Sequence, residues 1–154
     1  MLVGTRKGLF LLHGNDARRD WRVEGPLLTG WEVFHAIHDP RDETLYAAGN
    51  SAFFGGTVQR SDDRGQTWER AELPALPEQS GLELGEVWHV EPGGDGTLWL
   101  GAAPGVLFRS DDRGVTWNVN RGVLEHPTRD IARGTAAGAG SSRPADCPSL
   151  RGRP

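Results

Sequence analysis

Short apolar segments separated by turn residues recur along the first 120 positions of the chain. The segments are rich in Val, Leu and aromatic residues, and Gly, Pro and Asp lie between them, as is typical of strands in an all-β protein. The third stretch of the chain shows the pattern most fully and predicts a four-stranded unit. Its strands are expected at 87–90, 97–101, 106–109 and 116–120.

An eight-residue segment, Ser-Asp-Asp-Arg-Gly-X-Thr-Trp, occurs twice in the chain. It begins at Ser61 and again at Ser110, which is 49 positions later (110 − 61), and the copies differ only at Gln66 and Val115. A spacing of roughly 40–50 residues is the period of one four-stranded propeller blade. The flanking segments align as well and predict units at about 1–30, 31–84 and 85–121, the first without its opening strand.

The fold class expected from these units is all-β, a partial β-propeller of about three four-stranded blades over residues 1–121. Closed rings have roughly four to eight blades, so we expect a truncated or frame-shifted product of a longer gene. The alternative is a short chain that closes its ring by oligomerising. Residues 122–154 are predicted to form a connection and a disordered tail rich in Arg, Ala, Gly and Pro.

The repeated segment matches the Asp-box, or BNR repeat, Ser/Thr-X-Asp-X-Gly-X-Thr-Trp. Over residues 1 to about 130 the chain resembles BNR/Asp-box propeller proteins, especially the bacterial sialidase-like glycosyl hydrolase group. The resemblance implies a glycoside hydrolase, exo-sialidase-like, that is active only in the full-length form. The alternative is a non-enzymatic propeller that serves as a protein- or glycan-binding scaffold. A complete sialidase catalytic set is not identifiable, and the single tyrosine, Tyr46, lies inside a predicted strand.

The residues of the two Asp-boxes are predicted to hold turns rather than to catalyse, because identity at equivalent positions of successive units is typical of architecture. Asp and Ser or Thr can hydrogen-bond backbone amides across a turn, and Gly supplies a positive φ. The residues with this predicted role are Ser61, Asp63, Gly65, Thr67, Trp68, Ser110, Asp112, Gly114, Thr116 and Trp117.

A ligand site is expected on the face opposite the boxes, where other loops meet the first strands of the units. Glu32 and Glu86 stand at equivalent positions and are the candidate catalytic carboxylates, since glycoside hydrolysis uses two carboxyl groups about 5–10 Å apart. The candidate ligand-binding residues are Arg6, Lys7, His35, Asn50, Trp88, His89 and His126. His35 and His89 recur in register, which favours a structural role, and no metal or cofactor is expected.

Net charge and cysteine content limit the binding partners and the covalent cross-links that the chain is expected to have. The net charge of −4 gives no general attraction to nucleic acid or an anionic membrane. Cys147 is the single cysteine, which excludes an internal disulfide. Neither a signal segment nor an apolar run of membrane-spanning length is present, so a cytoplasmic location is expected. The expected partners are a glycan or protein ligand, and self-association through exposed blade edges.

Overall fold

The computed structural model describes residues 1–127, and in this part of the chain three antiparallel β-sheets follow one another. The predicted all-β class is therefore confirmed. Of the connection and disordered tail predicted over 122–154, residues 128–154 lie outside the described residues. No helix among residues 1–127 is long and apolar enough to cross a membrane.

Each sheet is an antiparallel meander in which strands that are neighbours in sequence are hydrogen-bonded neighbours in space. The first sheet has three strands, β1 (Leu2–Thr5), β2 (Gly8–Gly14) and β3 (Trp21–Leu27). The second has four, β4 (Glu32–Asp39), β5 (Thr44–Ser51), β6 (Gly55–Ser61) and β7 (Glu69–Arg70). The third has β8 (Val87–Pro92), β9 (Leu98–Ala102), β10 (Val106–Ser110) and β11 (Asn118–Val119). A 3₁₀ turn at Glu78–Ser80 and a short helix, α1 (Arg121–Leu124), complete the described elements.

The first three strands of the third sheet lie within two residues of their predicted bounds, whereas β11 is shorter than the predicted strand at 116–120. The reason is local. The backbone N–H of Thr116 donates to the side chain of Asp112 at 2.8 Å and the indole N–H of Trp117 donates to the carbonyl oxygen of Gly114 at 3.0 Å. Both residues are therefore committed to the turn, and pairing with β10 begins only at Asn118.

Two apolar layers hold the three sheets together, and β5 contributes to both. Leu45 and Ala47 belong to the layer between the first and second sheets, and Tyr46 and Ala48 to the layer between the second and third. Successive side chains of a strand point to opposite faces, so a strand buried on both faces reads as a continuous apolar run. This explains why β5 lacks the alternation of a half-exposed strand.

Candidate functional site

The first Asp-box forms the turn between β6 and β7. Ser61 Oγ donates to Asp63 Oδ1 at 2.8 Å and accepts the backbone N–H of Gly65 at 2.8 Å. Asp63 also accepts the Thr67 backbone N–H at 2.8 Å and the Thr67 hydroxyl at 2.6 Å. The indole of Trp68 donates to the carbonyl oxygen of Gly65 at 3.0 Å. Together these hydrogen bonds, all between residues of the box itself, fix the conformation of the turn.

The second box, between β10 and β11, repeats this network. Ser110 Oγ donates to Asp112 Oδ1 at 2.8 Å, and Asp112 accepts the N–H and the hydroxyl of Thr116 at 2.8 and 2.6 Å. The Thr67 hydroxyl, followed by the Thr67 N–H, lowers the pKa of Asp63 to about 2. Thr116 lowers the pKa of Asp112 in the same way. Both carboxylates are thus ionised and engaged in turns, an arrangement that suits structure rather than proton transfer.

Arg113 of the second box reaches back to the second sheet, a contact that the sequence did not indicate. Its guanidinium lies 2.5 Å from Asp42 and 3.0 Å from Asp62, and donates to the Thr44 hydroxyl at 2.6 Å. The equivalent Arg64 is 82% exposed and lies 3.9 Å from Glu43. The arginine of the motif therefore bridges two sheets in the second copy and faces solvent in the first.

The two candidate carboxylates line one depression, of about 410 Å³, between the second and third sheets. Glu32 is the first residue of β4, and Glu86 directly precedes β8. The loop between β5 and β6 forms another part of the wall. The lining residues are Glu32, Asn50, Ser51, Ala52, Gly55, Gly56, Leu84, Gly85 and Glu86. Strand β6 starts at this depression and ends at the first Asp-box, so the depression and the box lie at opposite ends of that strand.

Arg6 lies beside Glu32, with its Nε 2.9 Å from Glu32 Oε1. The β1–β2 turn presents it there: the Thr5 hydroxyl donates to the carbonyl oxygen of Gly8 at 2.8 Å and accepts the N–H of Lys7 at 3.1 Å. Arg6 is 90% exposed and the Glu32 side chain 34% exposed. The ion pair therefore stays open to solvent at the mouth of the depression, and Lys7 is exposed in the same turn.

Asn50 is placed in the wall of the depression, where its amide is already bonded. Its Nδ2 donates to the Val87 carbonyl oxygen at 3.1 Å, and its Oδ1 accepts the Val87 N–H at 2.9 Å. A Cβ at Gly56 would lie 2.7 Å from Asn50 Oδ1 and 2.7 Å from Val87 Cγ2. Glycine at that position is what lets the chain pass this close to the bridge.

The remaining candidates fall outside the depression. The Trp88 ring packs against Phe34 with ring centroids 4.9 Å apart and planes inclined by 52°. His126 follows α1, which packs against β10.

Tyr46, which is 1% exposed, is part of the apolar layer between the second and third sheets, and its hydroxyl donates to the carbonyl oxygen of Arg113 at 3.2 Å. Burial raises the pKa of Tyr46, so this tyrosine is a packing residue and not an accessible nucleophile.

His35 and His89 lie together on β4 and β8, with ring centroids 3.8 Å apart and planes inclined by 30°. Each strand has a register shift just before its histidine, between Val33 and His35 and between Val87 and His89. Nε2 of His89 is 3.3 Å from a carboxylate oxygen of Glu91. Burial, then the neighbouring His89, lowers the pKa of His35. Sequence reasoning missed Glu91, although its position two residues after His89 was a usable signal.

Comparisons with known proteins agree with the motif. The BNR/Asp-box repeat family matches residues 59–70, which contain the first box. Xyloglucanase Xgh74A of Acetivibrio thermocellus is 41% identical over 66 residues, which are 41% of this chain and 8% of that protein. A xyloglucanase of a Paenibacillus species is 39% identical over 66 residues, 41% of this chain and 6% of that protein. The similarity thus spans less than a tenth of either relative, at 8% and 6%. The chain therefore contains a BNR/Asp-box repeat at residues 59–70 and a 66-residue region that is similar to xyloglucanases.

Proposed function

We propose that the chain forms part of a glycosyl hydrolase-like Asp-box β-propeller that binds carbohydrate in the depression between its second and third sheets. The observation that carries the proposal is that Glu32 and Glu86, which come from successive repeats, line the same depression. Carboxylates accept hydrogen bonds from several donors at once, and a sugar offers many hydroxyl donors on one ring.

An aromatic and basic surface adjoins the depression and enlarges the area that a glycan could cover. A neighbouring hollow shares Gly55, Gly56 and Leu84 with the depression and is also lined by Phe54 and Arg70. The Phe54 ring stacks on Trp31 at 6.0 Å, and the Arg70 guanidinium lies 4.9 Å from the Phe54 centroid. Phe54 is 64% exposed, and an exposed aromatic ring next to carboxylates suits the apolar face and hydroxyl rim of a sugar ring.

The relatives suggest the first ligand to try. Both are named as xyloglucanases, so a xyloglucan oligosaccharide is the primary probe, and a sialylated oligosaccharide tests the sialidase-like alternative. If hydrolysis occurs, two carboxyl groups would divide the work as general acid and as base or nucleophile. Arg6 contacts Oε1 of Glu32, so a ligand at this carboxylate would also meet the guanidinium.

The binding test uses calorimetric titration of the full chain with each oligosaccharide. Glu32→Gln and Glu86→Gln each remove a charged acceptor, worth about 1.5–3 kcal/mol, so we expect affinity to fall by about ten- to a hundredfold. Glu69→Gln is the matched control, because this glutamate is 80% exposed on β7 and lies outside the depression. Equal affinity in all three variants, or no binding of either sugar, would remove the proposal.

A non-enzymatic binding scaffold is the second candidate. The Arg6–Glu32 ion pair favours it, because it engages one of the two carboxylates that hydrolysis would need. Hydrolysis of fluorogenic glycosides by the chain separates the two functions. Turnover that both Glu→Gln variants abolish supports the hydrolase. Sugar binding that depends on Glu32 and Glu86 but gives no turnover supports the scaffold.

A further inference from the structure

A cluster of three donor side chains lies where the first strands of the second and third sheets meet. One ligand atom each from His35, His89 and Glu91 lies within 4.8 Å of the other two. We propose that these three residues bind a divalent transition-metal cation, with Zn²⁺ the best match to the donor set. The proposal does not depend on carbohydrate binding, since none of the three lines the depression.

The donor chemistry selects the class of cation. Two imidazoles and one carboxylate are the ligands that Zn²⁺ takes in open sites, with a fourth position left for water. Imidazole also suits Co²⁺, Ni²⁺ and Cu²⁺, whereas Mg²⁺ and Ca²⁺ prefer oxygen donors alone. A site of this composition should therefore bind Zn²⁺ or Co²⁺ and leave Mg²⁺ unbound at comparable concentration.

The geometry needs only a modest side-chain adjustment. Zn–N and Zn–O bonds of about 2.0–2.2 Å place tetrahedral donors roughly 3.3 Å apart, against separations of up to 4.8 Å here. The His89 and Glu91 side chains are 56% and 58% exposed, so both are free to rotate toward a cation. Strands β4 and β8 hold the two imidazoles in stacked contact, with ring centroids 3.8 Å apart, and rotation of the exposed His89 ring would turn its nitrogen toward a shared cation.

The state of His35 suits a ligand. Its Nδ1 atom is buried and has no hydrogen-bond partner among residues 1–127, and an unsatisfied buried polar atom is costly. Glu91, 3.3 Å from His89 Nε2, supplies the negative charge that a divalent cation needs.

Other histidine–carboxylate contacts in the described chain lack a third donor. His13 pairs with Glu24 at 3.1 Å, and His38 pairs with Glu43 at 3.5 Å. Among residues 1–127, the His35–His89–Glu91 cluster is the one group of three such donors. His13 and Glu24 therefore provide a matched control in which an equally close pair is removed without touching the cluster.

The test is a competitive Zn²⁺ titration of the untagged full chain with a chromogenic chelator, in a Cys147→Ser background that removes the thiol as a ligand. We expect one Zn²⁺ per chain, and at least about tenfold weaker binding in His89→Gln and in Glu91→Gln, since even outer partners of a metal site contribute 10–100-fold. His13→Gln should bind as the parent does. The Co²⁺ complex should show the intense visible absorption of tetrahedral coordination, lost in His89→Gln.

A thermal measurement checks that the variants are folded. Zn²⁺ should raise the Tm of the parent, because a ligand that binds only the folded state stabilises it, and should leave the Tm of folded His89→Gln unchanged. The proposal is overturned if the parent binds no Zn²⁺, or if His89→Gln and Glu91→Gln bind it as tightly as the parent. An equal loss in His13→Gln would overturn it as well.

Discussion

The side chain of Asn50 is hydrogen-bonded to both backbone polar groups of Val87. The amide Nδ2 donates to the Val87 carbonyl oxygen at 3.1 Å, and the Val87 N–H donates to Asn50 Oδ1 at 2.9 Å. An asparagine amide presents one donor edge and one acceptor edge, as a peptide group does. The Asn50 side chain therefore forms the pair of hydrogen bonds that a neighbouring strand would form, and it links β5 of the second sheet to β8 of the third.

Asn50→Ala should destabilise the fold. Val87 is fully buried, so the substitution leaves its backbone groups unsatisfied, at about 1–3 kcal/mol for such a group. We expect the free energy of unfolding in urea to fall by about 2–3 kcal/mol. Asn118→Ala, at an exposed position of β11, is the control and should change stability little. A loss of the same size in both variants would show that the bridge has no special role.

The Asp-box carboxylates should make stability fall at low pH. Folding lowers the pKa of Asp63 from its ordinary value to about 2, chiefly through the Thr67 hydroxyl. A depressed pKa contributes stability that is fully present above the unfolded pKa, near 3.9, and is lost as the pH falls through the folded value. Denaturant unfolding of the parent between pH 5 and pH 2 should show this loss, and Asp63→Ala should flatten it. An unchanged pH profile in Asp63→Ala would contradict the assignment.

The two box arginines should differ in importance despite their identical motifs. Arg113 bonds to Asp42, Asp62 and Thr44 across two sheets, whereas Arg64 is 82% exposed. Half-exposed ion-pair networks contribute about 1 kcal/mol, and isolated surface changes stay within about 0.5 kcal/mol. Arg113→Ala should therefore lower unfolding free energy by about 1 kcal/mol and Arg64→Ala by less than half of that. Equal effects would show that the bridge contributes nothing.

We also expect self-association through the outer edge of β3. Trp21 and Val23 on this strand are 45% and 61% exposed, and an exposed apolar edge strand is a template for pairing with another chain. Light scattering coupled to size exclusion should show a mass that rises with concentration. Val23→Lys should reduce that rise.

The control for the edge prediction is Val115→Lys. This valine is 58% exposed in the second Asp-box and does not belong to a strand. Its substitution should leave the association as it is in the parent. If both lysine variants associate as the parent does, the β3 edge is not the contact.

Much of the fold could be predicted from the sequence because each sheet is a local meander. Strand bounds in the third unit follow from apolar segments between Gly, Pro and Asp, and β5 reads as a continuous apolar run because both of its faces are buried. The box repeat gave the spacing of the units. These features depend on residues near one another in sequence, where periodicity carries the information.

Contacts between sheets could not be predicted in the same way, because periodicity within a unit does not fix how one unit faces the next. The Arg41 guanidinium holds the buried Asp39 carboxylate and donates to the Gly93 carbonyl oxygen at 2.8 Å across the sheets. Asn50, a candidate ligand contact that lines the depression, also bridges to the Val87 backbone, a bond between sheets that periodicity did not indicate. The proximity of His35 to His89 and Glu91 comes from the packing of β4 on β8, which no motif records.

Calorimetric titration of the full chain with a xyloglucan oligosaccharide, with and without the double substitution Glu32→Gln and Glu86→Gln, tests the proposed carbohydrate site most directly. Gln66→Ala, in the first Asp-box at the far end of β6, is the control for a change outside the depression. We predict saturable binding to the parent and to Gln66→Ala, and its loss in the double variant. Undiminished binding to the double variant, or no binding to the parent, would contradict the proposed site.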